Sequence, residues 1–282
     1  MIVDSHVHVI AEDEQRYPFD SLSVMNVDPA TAWYRTTPVS AERLIAEMDA
    51  AGVDRAMVVQ PWGAYSYDNS YHADSAARYP DRFVGVCTVD ASKDDAPERL
   101  SYWVEERGMR GLRLNSSAFP LDDPRAQPLW ERVDALGIPV CVLTKVEHLE
   151  QVRARAQRFP NVRIALDHLG GWGGYSGSVG AAVRALLDLV ALPNLYLKVS
   201  TVNFAPVAAG DSDALEALRQ LVDGFGARRM IWGSNYPVSQ EGTYADMVRM
   251  GRDALPFLSD EDRRWMLGET AVSLWPALKG LA

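Results

Sequence analysis

The sequence predicts an α/β protein, a single (β/α)8 TIM barrel that spans residues 1–282. Short apolar segments rich in Val, Ile and Leu alternate with amphipathic segments along the whole chain, and no Pro- or Ser-rich linker separates them. The apolar segments are nearly continuous, as in a parallel sheet that helices cover. A doubly wound open sheet is the alternative, but it usually has a glycine-rich phosphate-binding motif after its first strand, and this chain has none.

Eight strands and eight helices are predicted in alternation from the spacing of the apolar residues. The strands are expected at 2–9, 54–60, 82–88, 109–115, 138–144, 162–168, 194–200 and 229–235. The helices are expected at 41–51, 70–79, 96–107, 125–136, 147–159, 179–192, 212–225 and 243–254. Residues 259–262 resemble a capping box, which predicts one further, C-terminal helix.

The connection after the first strand, residues 10–39, is too long for a plain turn and contains Trp33 and Tyr34. In a barrel this loop lies at the C-terminal face, where active sites are built. We expect either a substrate lid with an aromatic wall or a small structural flap over the barrel mouth. The glycine-rich stretch 170–180 does not match G-x-G-x-x-G and is predicted to be a loop at the mouth.

Composition excludes several classes of partner. A net charge of −10 and a pI near 5.0 argue against binding to nucleic acid or to an anionic membrane. No apolar stretch is long enough to span a bilayer, and the polar N-terminus is unlike a signal peptide, so we expect a cytoplasmic protein. Cys87 and Cys141 lie in apolar strands and are expected to be buried and reduced. A small-molecule substrate is the expected partner, and homo-oligomerisation stays open.

Polar and charged residues stand at the C-terminal ends of the predicted strands, the end at which barrel enzymes keep their catalytic groups. Burying a charged side chain is costly unless a ligand, solvent or a counter-ion compensates it, so the convergence of several such residues predicts a site. Of the two other histidines, His72 is expected to be a surface residue, and His148 is expected to be solvated or associated with a helix. The residues at the strand ends are His6, His8, Gln60, Arg113, Asn115, Lys145, His168, Lys198, Ser200 and Asn235.

Five motifs in this order resemble the amidohydrolase superfamily, more narrowly its amidohydrolase-2 branch with the sugar lactonases and 2-pyrone-4,6-dicarboxylate lactonase. They are D-x-H-x-H on the first strand, GLR on the fourth, DHLGG on the sixth, NLYLKVS on the seventh and WGSNYP on the eighth. The resemblance extends from residue 2 to about residue 275. It implies a hydrolase that acts on a lactone or a related cyclic ester of a small anionic or oxygen-rich molecule. Metal-dependent decarboxylases of aromatic or unsaturated acids belong to the same branch and are the alternative.

One position departs from the family pattern, because Asn235 stands where the family usually has an aspartate. In the similar lactonases that aspartate handles the proton of the attacking water, and in metal-dependent members it also binds the metal. An amide is no base near neutral pH, although its carbonyl oxygen can accept a hydrogen bond from water. Three explanations stay open: a natural variant with a different base, an engineered Asp→Asn form, or a protein that binds a ligand without converting it.

The resemblance assigns roles to the residues at the strand ends. The catalytic group comprises His6, His8, His168 and Asn235, with His168 as the expected base. The same three histidines offer nitrogen ligands for one divalent metal, zinc or manganese, although a site that binds no metal or binds it weakly is favoured because the carboxylate ligand is missing. The residues expected to bind substrate are Arg113, Lys145, Lys198, Gln60, Asn115, Trp33 and Tyr34.

Overall fold

The computed structural model describes residues 1–20, 32–172, 178–239 and 242–279. In these residues eight parallel strands pair in chain order, and each lies inside the range predicted for it. This arrangement confirms the (β/α)8 barrel and excludes the doubly wound sheet. The strands are β1 (Val3–Val7), β2 (Arg55–Val59), β3 (Phe83–Thr88), β4 (Leu112–Asn115), β5 (Val140–Leu143), β6 (Ile164–Leu166), β7 (Leu195–Ser200) and β8 (Met230–Gly233).

Residues just beyond β8 close the barrel against β1. Asn235 donates its backbone N–H to the carbonyl of His6 at 2.7 Å, and His8 donates to the carbonyl of Tyr236 at 2.8 Å. The pairing of β1 with β2 shifts register between Asp4 and Val7. The closure therefore places Asn235 beside the two histidines of the first strand.

Helical segments surround the strands, and the predicted long helices are all present. The helix predicted at 96–107 ends in a π-helical turn (Tyr102–Glu106), whereas the short helical segments at 33–36, 62–65, 168–171 and 201–208 were not predicted. The segments are α1 (Trp33–Thr36), α2 (Ala41–Ala51), α3 (Trp62–Tyr65), α4 (Ser70–Arg78), α5 (Ala96–Ser101), α6 (Gln127–Leu136), α7 (Leu149–Arg158), α8 (His168–Gly171), α9 (Val179–Leu187), α10 (Thr201–Ala208), α11 (Ser212–Phe225), α12 (Tyr244–Asp253), α13 (Asp260–Arg264) and α14 (Thr270–Leu274).

The predicted C-terminal helix begins at α13, where Ser259 Oγ accepts a hydrogen bond from the backbone N–H of Asp262. The chain then continues through α14, and Trp275 packs with Val3, Val86 and Ile231 in one buried apolar cluster. A Cβ atom on Gly111 would lie 2.9 Å from the Trp275 indole nitrogen. The C-terminal segment thus closes the barrel end opposite the strand termini that carry the polar residues.

The predictions for the two cysteines and for His72 had opposite outcomes. Cys87 and Cys141 are free and buried, as predicted. The prediction for His72 was wrong, because its side chain is fully buried among neighbours that include Tyr65 and Tyr71. None of the helices in the described ranges is long and apolar enough to cross a membrane.

Candidate active site

A cavity of about 490 Å³ opens at the C-terminal ends of the strands. Aromatic residues Trp33 and Trp62 form part of its wall, and Leu143 and Val238 add apolar surface. The structure thus brings most of the predicted strand-end residues to one place. Those that line the cavity are His8, Trp33, Arg113, Asn115, Lys145, His168 and Asn235.

Directly beneath the cavity lies a set of side chains that we call the buried ion cluster, formed by the charged Asp167, Lys198 and Arg113 and the neutral His6. Asp167 Oδ1 is 2.9 Å from Lys198 Nζ, and Asp167 Oδ2 is 2.9 Å from Arg113 Nε. His6 Nδ1 lies 3.4 Å from Asp167 Oδ1. Asp167, Lys198 and His6 are completely buried, so the charges of Asp167 and Lys198 are compensated within the cluster and not by water.

The charges in the buried ion cluster hold each other in fixed ionisation states. Burial opposes the charged form of Asp167, but the positive charges of Lys198 and Arg113 and the contact with His6 keep its pKa well below the usual value. Burial likewise opposes the charged form of Lys198, and Asp167 raises its pKa above the usual value. Two cations against one carboxylate leave one surplus positive charge below the cavity, which favours an anionic ligand.

His6 Nδ1 lies between two members of the buried ion cluster. It is 3.2 Å from Lys198 Nζ and 3.4 Å from Asp167 Oδ1. Burial lowers the pKa of His6 well below its usual value, which keeps the ring neutral. Among the described residues, His6 Nε2 has no hydrogen-bond partner. His6 therefore lies buried beneath the cavity and does not line it.

His168 leaves the end of β6 in a left-handed conformation, with φ of 54°. The three residues after it, up to Gly171, are also left-handed, and a Cβ on Gly171 would lie 2.7 Å from the carbonyl oxygen of Thr144. Only glycine fits at position 171, which explains the second glycine of the motif. This sharp turn moves the His168 side chain out of the strand alternation and into the cavity wall.

A short hydrogen-bond chain orients the His168 ring. Its Nδ1 is 2.7 Å from Ser200 Oγ, and Ser200 Oγ in turn donates to Asn203 Oδ1 at 3.3 Å. Because the serine proton is directed to Asn203, Nδ1 of His168 is the donor and its Nε2 carries a lone pair. Burial, with smaller contributions from Arg113 and Lys198, lowers the pKa of His168 to about 4. At neutral pH His168 is therefore an unprotonated base.

His8 presents a second lone pair to the cavity. Its Nδ1 lies 2.7 Å from the carbonyl oxygen of Val59, which only accepts, so Nδ1 donates and Nε2 is unprotonated. Burial lowers the pKa of His8 well below its usual value. The ring packs against Trp33 at a centroid distance of 5.7 Å. This contact ties one wall of the cavity to the loop that follows β1.

Asn235 lies at the turn after β8, also in the left-handed region with φ of 60°, a conformation that Asn and Asp adopt more readily than most residues. Its Nδ2 donates to Ser239 Oγ at 3.1 Å, which orients the carbonyl Oδ1 of the side chain. Asn235 lines the same cavity as His168. It can hold a water molecule through Oδ1 but cannot take its proton.

Arg113 and Lys145 supply positive charge to the cavity. Arg113 uses Nε for Asp167, and within the described residues its two Nη groups make no hydrogen bond. Lys145 is exposed and forms no ion pair with a described residue. A guanidinium edge and an ammonium group that lack counter-ions are suited to a carboxylate or to a developing oxyanion.

Several predicted site residues do not reach the cavity. Gln60 is buried, and its Nε2 donates to the carbonyls of Ser66 and Asp68, so it shapes the loop after β2. Tyr34 belongs to a small apolar cluster under the first loop. Lys198 is fully buried in the ion cluster, where its counter-ion is Asp167. The structure therefore gives no support to direct substrate contacts by Gln60, Tyr34 and Lys198.

Asp4 does not line the cavity, although simple alternation along β1 puts it on the same face as the histidines. Its carboxylate accepts hydrogen bonds from the backbone N–H groups of His6 at 3.0 Å and Ser234 at 2.9 Å. It also accepts from the Tyr244 hydroxyl at 3.1 Å. Asp4 therefore connects β1 to the turn after β8 and to α12.

The histidines do not fit the metal site that the family resemblance allows. Among the described residues, no group of three or more His, Cys, Asp or Glu side chains is arranged to hold a metal ion. The Lys198 ammonium lies 3.2 Å from His6 Nδ1 and disfavours a metal on this ring, because the two cations would repel each other.

Three residues with a place in the site were not predicted. Asp167 is the centre of the buried ion cluster, Asn203 completes the chain that orients His168, and Trp62 forms cavity wall. Alternation along β6 was a usable signal for Asp167, because a charged residue two positions after the buried Ala165 points into the barrel. Nothing in the sequence pattern marks Asn203.

Comparisons with known proteins show which family this chain is similar to. A family model described as amidohydrolase matches residues 3–277. L-fucono-1,5-lactonase of Burkholderia ambifaria is 30% identical over 247 residues, which cover 84% of this chain and 81% of that protein. 4-Sulfomuconolactone hydrolase of Hydrogenophaga intermedia is 24% identical, over 93% of this chain and 84% of that protein. The crystal structure of a probable 2-pyrone-4,6-dicarboxylic acid hydrolase from Acinetobacter baumannii superimposes with a TM-score of 0.76, at 20% identity, and covers 97% of this chain and 98% of that one.

Proposed function

The chain belongs to the amidohydrolase family, and on this premise we propose that it hydrolyses a lactone of a small anionic molecule, with His168 as the base. The observation that carries the proposal is the hydrogen-bond chain from His168 through Ser200 to Asn203, which leaves a lone pair on His168 Nε2 at the cavity. The lactone-acting relatives support the same reaction class. Asn235 then positions the water, and His168 accepts the proton that the carboxylate usual at position 235 would accept.

The reaction proceeds in two steps. Water held by Asn235 Oδ1 attacks the lactone carbonyl carbon, and its proton passes to His168 Nε2. The tetrahedral intermediate then collapses, the ring C–O bond breaks, and His168 returns the proton to the departing alkoxide oxygen. The product is the open hydroxy acid, and the histidine ends as it began. The carboxylate of Asp167, next in sequence, favours the transient imidazolium electrostatically.

Arg113 stabilises the negative charge in this scheme. Its free Nη edge and the surplus positive charge of the buried ion cluster lie where an oxyanion or a substrate carboxylate is favoured. Lys145 adds a second cation at the rim. Because the cluster is built before substrate arrives, this stabilisation requires no rearrangement during the reaction.

Decarboxylation is less well supported as the alternative. The decarboxylases of this branch use a metal to bind the substrate carboxylate, and the donor atoms described above suit a water-activating base better than a metal. The third possibility, binding without turnover, requires that no group in the cavity can accept a proton. His168 and His8 both present unprotonated Nε2 atoms, which favours catalysis.

A panel of lactones, with acid release followed by a pH indicator, tests this proposal. We expect the chain to release acid and the His168→Gln variant to lose about 10²- to 10⁴-fold in kcat, the usual contribution of general base catalysis. His148→Gln is the matched control, because His148 contacts Ser116 and lies outside the cavity lining. Equal rates for His168→Gln and His148→Gln would contradict the assignment of the base.

A further inference from the structure

Resting on the proposed function, we infer that the substrate is a lactone that carries both a carboxylate and a short apolar substituent, and that a slot beside Arg113 holds this substituent. The slot is a small space of about 40 Å³ between the loops that follow β2, β3 and β4. Its wall includes Trp62, Phe119, Leu121 and Trp130. Such a wall favours a hydrocarbon substituent over a hydroxylated one.

The slot adjoins the active-site cavity. Both spaces share wall residues, namely Trp62, Arg113, Asn115 and Leu143. Arg113 therefore stands at the junction, with its guanidinium edge free on the side of the cavity. A ligand whose carboxylate binds Arg113 reaches the slot with the atoms attached next to that carboxylate.

The distribution of charged side chains also predicts which part of the ligand lies in the slot and which part lies in the cavity. Among the described residues that line the slot, Arg113 carries the only charge, whereas the cavity also has the charge of Lys145 and the polar, uncharged rings of His8 and His168. Thr88 Oγ1 donates to the Arg113 carbonyl, and Asn115 Oδ1 accepts from the Ser117 N–H, so these polar atoms already have partners. A sugar chain or a second carboxylate placed here would lose its hydration without adequate replacement.

The volume limits the substituent. Roughly 10–15 Å³ admits one water molecule, so the slot has room for about three or four carbon atoms. Larger groups would have to displace Phe119, which is partly exposed. Propyl is thus the expected optimum among linear chains.

The test compares hydrolysis of five-membered lactone carboxylates that bear hydrogen, methyl, propyl or a dihydroxypropyl group on the ring. Each added methylene buried in the slot is expected to raise kcat/KM about fourfold, and dihydroxypropyl should lose most of that gain. Ala118 lines the slot and is exposed, so Ala118→Leu narrows it at little risk to folding. We expect the propyl-to-hydrogen ratio of kcat/KM to fall towards one in Ala118→Leu and to be retained in Ala208→Leu, an exposed alanine outside both walls.

Equal kcat/KM across the series, or a preference for dihydroxypropyl, would overturn the inference while leaving lactone hydrolysis intact. If no lactone is hydrolysed, the proposed function fails, and calorimetric binding of acetate, pentanoate and gluconate decides the inference separately. Tighter binding of pentanoate that Ala118→Leu removes would support the slot. Equal binding of the three acids would refute it.

Discussion

The buried ion cluster and the cavity wall use similar residues for different purposes. In the cluster, Lys198 and Asp167 are fully buried and neutralise each other at 2.9 Å. In the wall, Lys145 is exposed and His168 has a free Nε2 atom. The same kind of strand-end position is therefore structural in one layer and available to substrate in the layer above. A charged residue at a strand end indicates a site, but its depth decides its role.

The largest expected difference between the two layers concerns their lysines. Lys198→Met leaves the Asp167 charge buried with one fewer counter-ion, so we expect a loss of about 3–5 kcal/mol in the free energy of unfolding. Lys145→Met removes an exposed charge and should change stability by less than about 0.5 kcal/mol while it raises KM. Urea unfolding measures both variants. Similar stabilities for the two would mean that the cluster adds little to folding.

The pH dependence of stability extends the comparison to a third region of the molecule. This region is the buried His72, which lies outside the site. Burial lowers the pKa of His72 to about 3 and that of His168 to about 4. Both folded-state values lie below the unfolded value near 6.5, so the unfolded chain takes up protons first as the pH falls. Each histidine should therefore lower the free energy of unfolding by about 1.4 kcal/mol for every unit that the pH falls below about 6, until the pH reaches the folded-state pKa of that histidine.

Urea unfolding from pH 7 to pH 4 tests this expectation with His72→Leu. The variant lacks one of the two groups, so its stability should fall less steeply with decreasing pH than that of the original chain. The difference in slope should approach about 1.4 kcal/mol per pH unit. Parallel curves would show that His72 is protonated equally in the folded and unfolded states.

The smallest effect is expected for Ser200, which supports His168 of the cavity wall. Ser200→Ala removes the group that accepts from His168 Nδ1, so the ring loses its fixed tautomer and orientation. The loss of one hydrogen bond of about 1.4 kcal/mol corresponds to about a tenfold lower kcat. Ser200→Thr keeps the hydroxyl and should restore most of the rate, as measured with a lactone that the original chain hydrolyses. An unchanged kcat in Ser200→Ala would mean that the serine does not orient the base.

The sequence predicted which strand ends form the site better than it predicted how deeply each side chain is buried. Apolar periodicity located all eight strands, and their polar ends gave His8, Arg113 and Asn235 as cavity residues. Periodicity carries no information on how far a side chain lies from the mouth, so Lys198 was assigned to substrate. It also assumes regular strands, and the left-handed turn at His168 and the register shift beside Asp4 break that assumption. His72 was misplaced because polar residues in a short helix usually face solvent.

The central claim is that His168 acts as the base in a chain that lacks the carboxylate at position 235, and comparing the chain with Asn235→Asp tests it directly. Aspartate also tolerates the left-handed backbone, and its carboxylate can accept from the Ser239 hydroxyl, so the variant should fold. We expect both forms to release acid from the same lactones, and His168→Gln to lower kcat of the original chain about 10²- to 10⁴-fold. Activity confined to Asn235→Asp would contradict the claim, because it would show that no group in the original cavity can replace the carboxylate.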